Sequence, residues 1–334
     1  MHMTWPLMAV MLLTVAFVIG VGIFQSRKVR SAEGYSVGGR SAGVPMVAGG
    51  IAGTVVGGGA TAQLAYSVGL SAWWFTLGSG IAFILMGIFY AQKMRSTGLS
   101  TIPQFLGMHY GRRAERLSSG VSSIGVLLSA VASCLPGMEI ISSIFGVGEL
   151  PAAIILMTLV AAYTFFGGMK SAAIGGILKM AVIWLSLFVC GFEAYEVLAS
   201  SSVAIPPSHL DLFGRGFEVS MSNLFSMIVG VLCTQTYIQC IFSADTPITA
   251  AAGCITAALI VIPVGLPSVA VGMYMSAFDP NVVPVLTLPT YFTNHASFLV
   301  GGLAMGGIVL SLISSIGGLS LGIGTMLVTD ILMP

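Results

Sequence analysis

The longest apolar runs of this chain decide its solvent. The first extends from Trp5 to Phe24 without a charged residue. A helix needs about 20 residues to cross a bilayer core, whereas buried helices of soluble proteins rarely need apolar runs beyond about 14. Several further runs are as long. Only 7% of the 334 residues are charged, where a soluble domain carries about a quarter, and 56% are hydrophobic. The expectation is therefore an all-α, polytopic membrane protein whose constant partner is the lipid bilayer. The 43 glycines suit it, because small residues let helices approach closely where lipid supplies no hydrophobic drive.

Nine spans are expected, at 5–24, 43–69, 71–92, 118–146, 150–168, 172–198, 221–243, 248–277 and 296–328. The longest polar loops lie near 93–117 and 199–220, and no soluble domain is expected. If the chain crosses nine times, the basic residues sort by side. Arg27, Lys28, Arg30, Arg40, Lys93, Arg95, Arg112, Arg113, Arg116, Lys170 and Lys179 fall on one side, and Arg215 on the other. The positive-inside rule makes the first side cytoplasmic, with the N-terminus outside and the C-terminus inside. Met1 to Pro6 hold no Lys or Arg, so the N-terminus does not read as a signal peptide.

Other classes are disfavoured. The net charge of +1 gives no reason to expect a nucleic-acid partner. The five cysteines, Cys134, Cys190, Cys233, Cys240 and Cys254, lie in apolar stretches without metal-ligand spacing and read as small core residues. His2, His109, His209 and His295 are scattered. No nucleotide-binding, zinc-hydrolase or serine-hydrolase motif occurs, so no enzyme and no catalytic residue is expected.

Three spans are more than anchors. Span two contains Gly49-Gly50-Ile51-Ala52-Gly53 and then Gly57-Gly58-Gly59. Each glycine costs a helix about 1 kcal/mol relative to alanine, so three together favour a break. Broken backbone at membrane depth survives where it lines a cavity or is buried, and freed carbonyls there can hold Na⁺. A close-packed glycine helix is the competing reading. Span seven carries Asn223, Thr234, Gln235, Thr236, Tyr237 and Gln239, which face either a watery path or neighbouring helices. In span nine Ser311, Ser314 and Ser315 share one helical face. Their hydroxyls can ligate a hard cation, although serine clusters also serve packing. Lys179, about two turns into span six, either snorkels to the interface or is a buried amine that titrates or replaces a cation. Glu139, after Pro136-Gly137, poses the same choice.

Several segments resemble the sodium/solute symporter family, in order along nearly the whole chain. They are Gly38-Gly39-Arg40-Ser41, Gln63-Leu64-Ala65-Tyr66, Gly69-Leu70-Ser71-Ala72-Trp73-Trp74 and Thr101-Ile102-Pro103-Gln104-Phe105-Leu106. Tyr163-Thr164-Phe165-Phe166-Gly167-Gly168-Met169, Tyr237-Ile238-Gln239 and Thr329-Asp330-Ile331 follow. The resemblance implies a LeuT-type fold of two inverted five-helix repeats in one transporter domain, 1–334. Residues 1–30 would be an extra N-terminal helix, 43–198 the first repeat and 221–334 part of the second. It also implies a sodium site made of the carbonyls of Gly53, Val56 and Ser311 and the hydroxyls of Ser314 and Ser315. The expected function is Na⁺-coupled symport of a small organic solute across the plasma membrane, with Na⁺ as coupling ion. Gln63, Thr234 and Gln235 are the candidate solute contacts, chosen as polar groups near the two breaks.

The family pattern is broken in three places. Gly175, Gly176 and Lys179 stand where members often carry Thr-Asp…Gln, so the acidic residue near the ion's inward exit is absent and an amine is nearby. Cys240 and Asp245 stand where members often carry Arg and Lys. The chain stops at Pro334, where the family continues for at least two core helices. The first departure keeps open a proton-coupled transporter using Lys179. The last raises the expectation of a fragment, a disrupted reading frame, a part completed by a second polypeptide, or a non-transporting membrane module.

Overall fold

The computed structural model describes residues 3–26, 31–56, 59–203 and 205–332. His2, Arg27, Lys28, Arg30, Gly57 and Gly58, all singled out above, lie outside the described residues, as do the side chains of Phe166 and Lys170. The elements are α1 (Trp5–Ser26), α2 (Ala32–Ser36), α3 (Val44–Val55), α4 (Ala60–Val68), α5 (Trp74–Leu85), α6 (Ala91–Ser96) and α7 (Ile102–Tyr110). They continue as α8 (Arg112–Phe145), α9 (Glu149–Ser200), α10 (Phe217–Cys233), α11 (Gln235–Ser243), α12 (Pro247–Phe278), α13 (Thr287–Asn294) and α14 (Phe298–Met326). Among the described residues the sole β-type pairing is an isolated parallel bridge between Ala42 and Ala244.

Six stretches are long and apolar enough to cross a bilayer unaided: Trp5–Phe24, Ala60–Ser96, Arg112–Phe145, Ala172–Ser200, Pro247–Phe278 and Phe298–Leu332. The pair α10–α11, bent by 50°, makes a seventh. The count of nine divides Ala60–Ser96 at Gly69, joins its first part to the short apolar helix Val44–Val55, and adds the short apolar helix Glu149–Phe165. The polar stretch 93–117, expected to be a loop, is largely helical. It holds α7 and the first turn of α8, and Thr101 caps α7 by accepting a hydrogen bond from the Gln104 amide at 3.2 Å.

Packing is organised around two long helices. One is α12, which touches α3, α4, α5 and α9; the other is α14, which touches α1, α8 and α9. α9 is broken at Gly168, whose φ of 60° is left-handed. Gly69, with φ of 61°, turns the chain between α4 and α5, and a Cβ there would also run into the His209 backbone. Gly69→Ala is expected to destabilise the fold by at least the roughly 1–2 kcal/mol that left-handed backbone costs an L-residue. A fall in apparent melting temperature in detergent would register it.

Sequence and structure part at some positions. Cys190, Cys240 and Cys254 are buried, but Cys233 is exposed and Cys134 only half-buried, so not all five cysteines are core residues. Glu139 is exposed, on the outward face of α8, because the helical period there turns it away from Gly137 and Ile140, which are buried.

Candidate cation site at a broken helix beside a cavity

α3 stops at Val55, Val56 leaves the helical region with ψ of 84°, and α4 resumes at Ala60. The last carbonyls of a helix have no partner within it. α14 supplies partners here. Ser311 Oγ donates to the Val56 carbonyl at 3.0 Å, and Ser315 Oγ donates to the Thr54 carbonyl at 3.1 Å. Ser314 Oγ donates to the Ser311 carbonyl at 3.3 Å. The i, i+3, i+4 spacing thus puts all three serines at the broken end of α3.

The carbonyl that meets Ser315 belongs to Thr54, where the resemblance pointed to Gly53. Gly53 has a different contact: a Cβ on it would lie 2.7 Å from the Cα of Gly176. Glycines on both sides let α9 and α3 touch backbone to backbone. Lys179 is three residues past Gly176 and so shares its helical face. Its side chain is 1% exposed, and its Nζ donates to Ser314 Oγ at 2.5 Å. Lys179 therefore does not snorkel; it is a buried amine at the serine cluster.

Thr234 is extended, with ψ of 115°, and marks the break between α10 and α11. Between the two breaks lies a cavity of about 360 Å³, whose wall includes Gln63, Phe75, Ser133, Thr234 and Tyr237. Ser311 and Ser315 line it as well, so the serine cluster belongs to both the broken α3 end and the cavity. Every lining side chain is uncharged at neutral pH. Thr234 Oγ1 donates to the Gly230 carbonyl at 2.7 Å, which leaves its lone pairs for a ligand. Two of the three candidate solute contacts, Gln63 and Thr234, are thus brought together. Gln235 is not, because its amide is spent on the chain before α7. Nε2 donates to the Ser100 carbonyl and Oε1 accepts from the Ile102 amide, both at 3.0 Å.

The side of the bundle beyond α11 is closed by polar contacts. Ala42 bonds the residues on either side of Ala244 across the bridge: Ala42 N donates to Ser243 O and Asp245 N donates to Ala42 O, each at 3.0 Å. Arg95 Nε donates to the Ala244 carbonyl at 2.5 Å. Gln239 Nε2 donates to the Ser36 carbonyl at 2.5 Å and to Thr325 Oγ1 at 3.0 Å. Past α14, the fully buried Asp330 accepts from Thr101 at 2.9 Å and Thr329 at 2.7 Å. At the surface of the same end, the Thr249 hydroxyl holds the Asp245 carboxyl below its usual pKa. Sequence reasoning missed this closure. Its only signals were polar Gln239 in an apolar span and the Thr329-Asp330 pair.

The serine and carbonyl set offers neutral oxygens, which suits a hard monovalent cation. Divalent ions draw on carboxylates, and no group of three His, Cys, Asp or Glu residues comes together among the described residues.

Residues 34–331 match the sodium:solute symporter family, and the chain belongs to it. That makes it a member of a family of membrane transporters and not an enzyme. Among curated relatives, it is 28% identical over 255 residues to high-affinity choline transporter 1 of Caenorhabditis elegans, a match covering 69% of this chain and 43% of that protein. It is 26% identical over 263 residues to the Homo sapiens high affinity choline transporter 1, covering 75% and 45%. The chain thus spans less than half the length of these relatives. Its fold is that of a solved structure described as the substrate-bound outward-open state of a Na⁺-coupled sialic acid symporter. The TM-score is 0.81 at 16% identity, covering 98% of this chain and 74% of that one.

Proposed function

We propose that this chain forms the ion-binding and solute-binding parts of a secondary active transporter that couples Na⁺ entry to uptake of a small organic solute across the cell membrane. The single observation that carries the reading is that Ser311 and Ser315 bridge the broken end of α3 and also line the cavity. An ion held there by the carbonyls of Val56 and Thr54, beside Gly53, and by Ser311, Ser314 and Ser315 would fix one wall of the solute cavity. Ion and solute affinities would then be coupled, and coupling is reciprocal. Gln63 and Thr234 are the solute contacts in this reading. The neutral wall leaves a negative charge on the solute to be balanced by the ion. The choline and sialic acid specificities belong to the relatives by their names, and here the solute is proposed as a small organic molecule.

A broken pair opens each half of the chain, α3–α4 and α10–α11, which supports reading α3–α9 as one five-crossing repeat and α10–α14 as part of a second, with α1 outside both. The clustering of Arg40 and Arg95 at the closed end supports making that end cytoplasmic, with the N-terminus outside.

Binding of radioactive sodium to the purified chain tests the assignment. Saturable binding is expected, reduced at least tenfold in Ser314→Ala/Ser315→Ala. Equal binding in both would sink it. The Lys179–Ser314 hydrogen bond favours a second reading, a proton-coupled transporter of the same fold in which Lys179 takes the place of the ion. Its mark is uptake that persists without Na⁺ and fails in Lys179→Ala.

A further inference from the structure

Lys179 carries an inference that deepens the sodium reading and rests on it. We propose that the amine of Lys179 and a sodium ion exclude one another at Ser314, so that Lys179 sets a deliberately weak sodium affinity and must withdraw before the ion is held.

The argument starts from hydrogen-bond capacity. A serine hydroxyl has one proton and two lone pairs. The Ser314 proton goes to the Ser311 carbonyl, and one lone pair receives the Lys179 amine. The second lone pair stays open to a sodium ion, so the conflict is one of charge and proximity, and the neighbours Ser311 and Ser315 lie one turn and one residue away on α14. An ion sharing this oxygen would sit within a few ångströms of Nζ. Among the described residues Ser314 Oγ is the one hydrogen-bond partner of Nζ and no carboxylate pairs with it, so nothing nearby offsets the repulsion between a protonated amine and the ion.

Backbone packing makes the approach obligatory. A Cβ on Gly176 would run into the Gly49 carbonyl, so only glycine there admits the contact of α9 with α3. With α9 held that close to α3, Lys179, one turn further on, reaches Ser314 of α14. The side chain is fully sequestered, with no route to the interface. A cavity of about 20 Å³, room for about one water, lies against Ser314, Thr54 and Gly53.

Sodium titrations of the full chain at one fixed pH test this, by radioactive sodium binding and by the rise in apparent melting temperature with Na⁺. Lys179→Met and Lys179→Gln are compared with the unaltered chain. Gln keeps a donor for Ser314 without the charge, and it serves if the Met variant does not fold. The expected result is sodium affinity at least tenfold tighter in both variants, about 1.4 kcal/mol. A chain that binds no measurable sodium until Lys179 is replaced would support the exclusion while overturning Na⁺ coupling by the unaltered chain. Equal affinities with and without the amine would overturn the exclusion and leave the sodium site standing. Weaker binding in the variants would also overturn it, by making Lys179 a support of the ion site. Absence of binding in all three proteins would overturn the sodium reading together with this inference.

Discussion

Gly176→Leu is expected to abolish cation binding and to destabilise the folded chain by about 3 kcal/mol, the upper end of what overpacking costs in a tightly packed interior. The new side chain has no space on the α3 side, because the Gly49 backbone and Gly53 already touch this position. Helices α3 and α9 would have to separate. Separation carries Lys179 away from Ser314 and loosens the α3 end from Ser311 and Ser315. Stability and sodium binding should fall together, read by thermal unfolding in detergent and by radioactive sodium binding. Gly120→Ala is the internal control. A Cβ there meets nothing within 4 Å, and alanine is the better helix former by about 1 kcal/mol. It should bind sodium as the unaltered chain does. Wild-type binding and stability in Gly176→Leu would show that the α3–α9 contact does not build the site.

Gln239→Leu is expected to open the closed end of the bundle. Gln239 is buried, and its amide alone ties α11 both to the Ser36 carbonyl and to Thr325 of α14. Leucine fills similar space but leaves the half-buried Ser36 carbonyl without its donor, an orphaned polar group costing up to about 1–3 kcal/mol. A penalty of that size, borne by the closed arrangement alone, shifts the population of open states about 5- to 150-fold. Cys240 reports on it without an added probe. It is buried beside Gln239 and lines the small cavity under the serine cluster. With Cys134 and Cys233 replaced by alanine, a membrane-impermeant thiol reagent should label Cys240 slowly in the parent. Labelling should be at least tenfold faster in Gln239→Leu, and only from the side bearing Arg40 and Arg95. Unchanged labelling from that side would dismiss Gln239 as part of the closure. Faster labelling from the opposite side would reverse the topology.

How much was legible in advance differs between fold and site. The apolar runs announced membrane helices because a bilayer demands length and low charge locally, residue by residue. The glycines near 57–59 and the polar residues of span seven located both breaks, since poor helix formers and polar groups act where they stand. The serine triplet was readable for the same reason: three positions on one turn share a face in any helix. Gln235 was misread. It adjoins the α10–α11 break in sequence, yet its amide turns to the loop before α7, and only the three-dimensional course of that loop provides the carbonyl and amide that claim it. That Ser315 meets the Thr54 carbonyl was not readable either, because one residue changes which carbonyl faces α14, and helix rotation is set by packing.

The sequence by itself determined the solvent, the helical class, the two interruptions and the family, because each depends on local chemistry or on the order of motifs. Only the tertiary structure decided what the interruptions meet. The approach of α9 to α3 through Gly176 and Gly53, the delivery of Lys179 to Ser314, and the latch of Gln239, Arg95 and the Ala42–Ala244 bridge join residues from about 135 to 260 positions apart in the clearest cases, as in Lys179–Ser314 and Ser315–Thr54. No local pattern encodes such pairs, since a buried amine and a snorkelling one look alike in sequence. They become different only when neighbouring helices close the path to water.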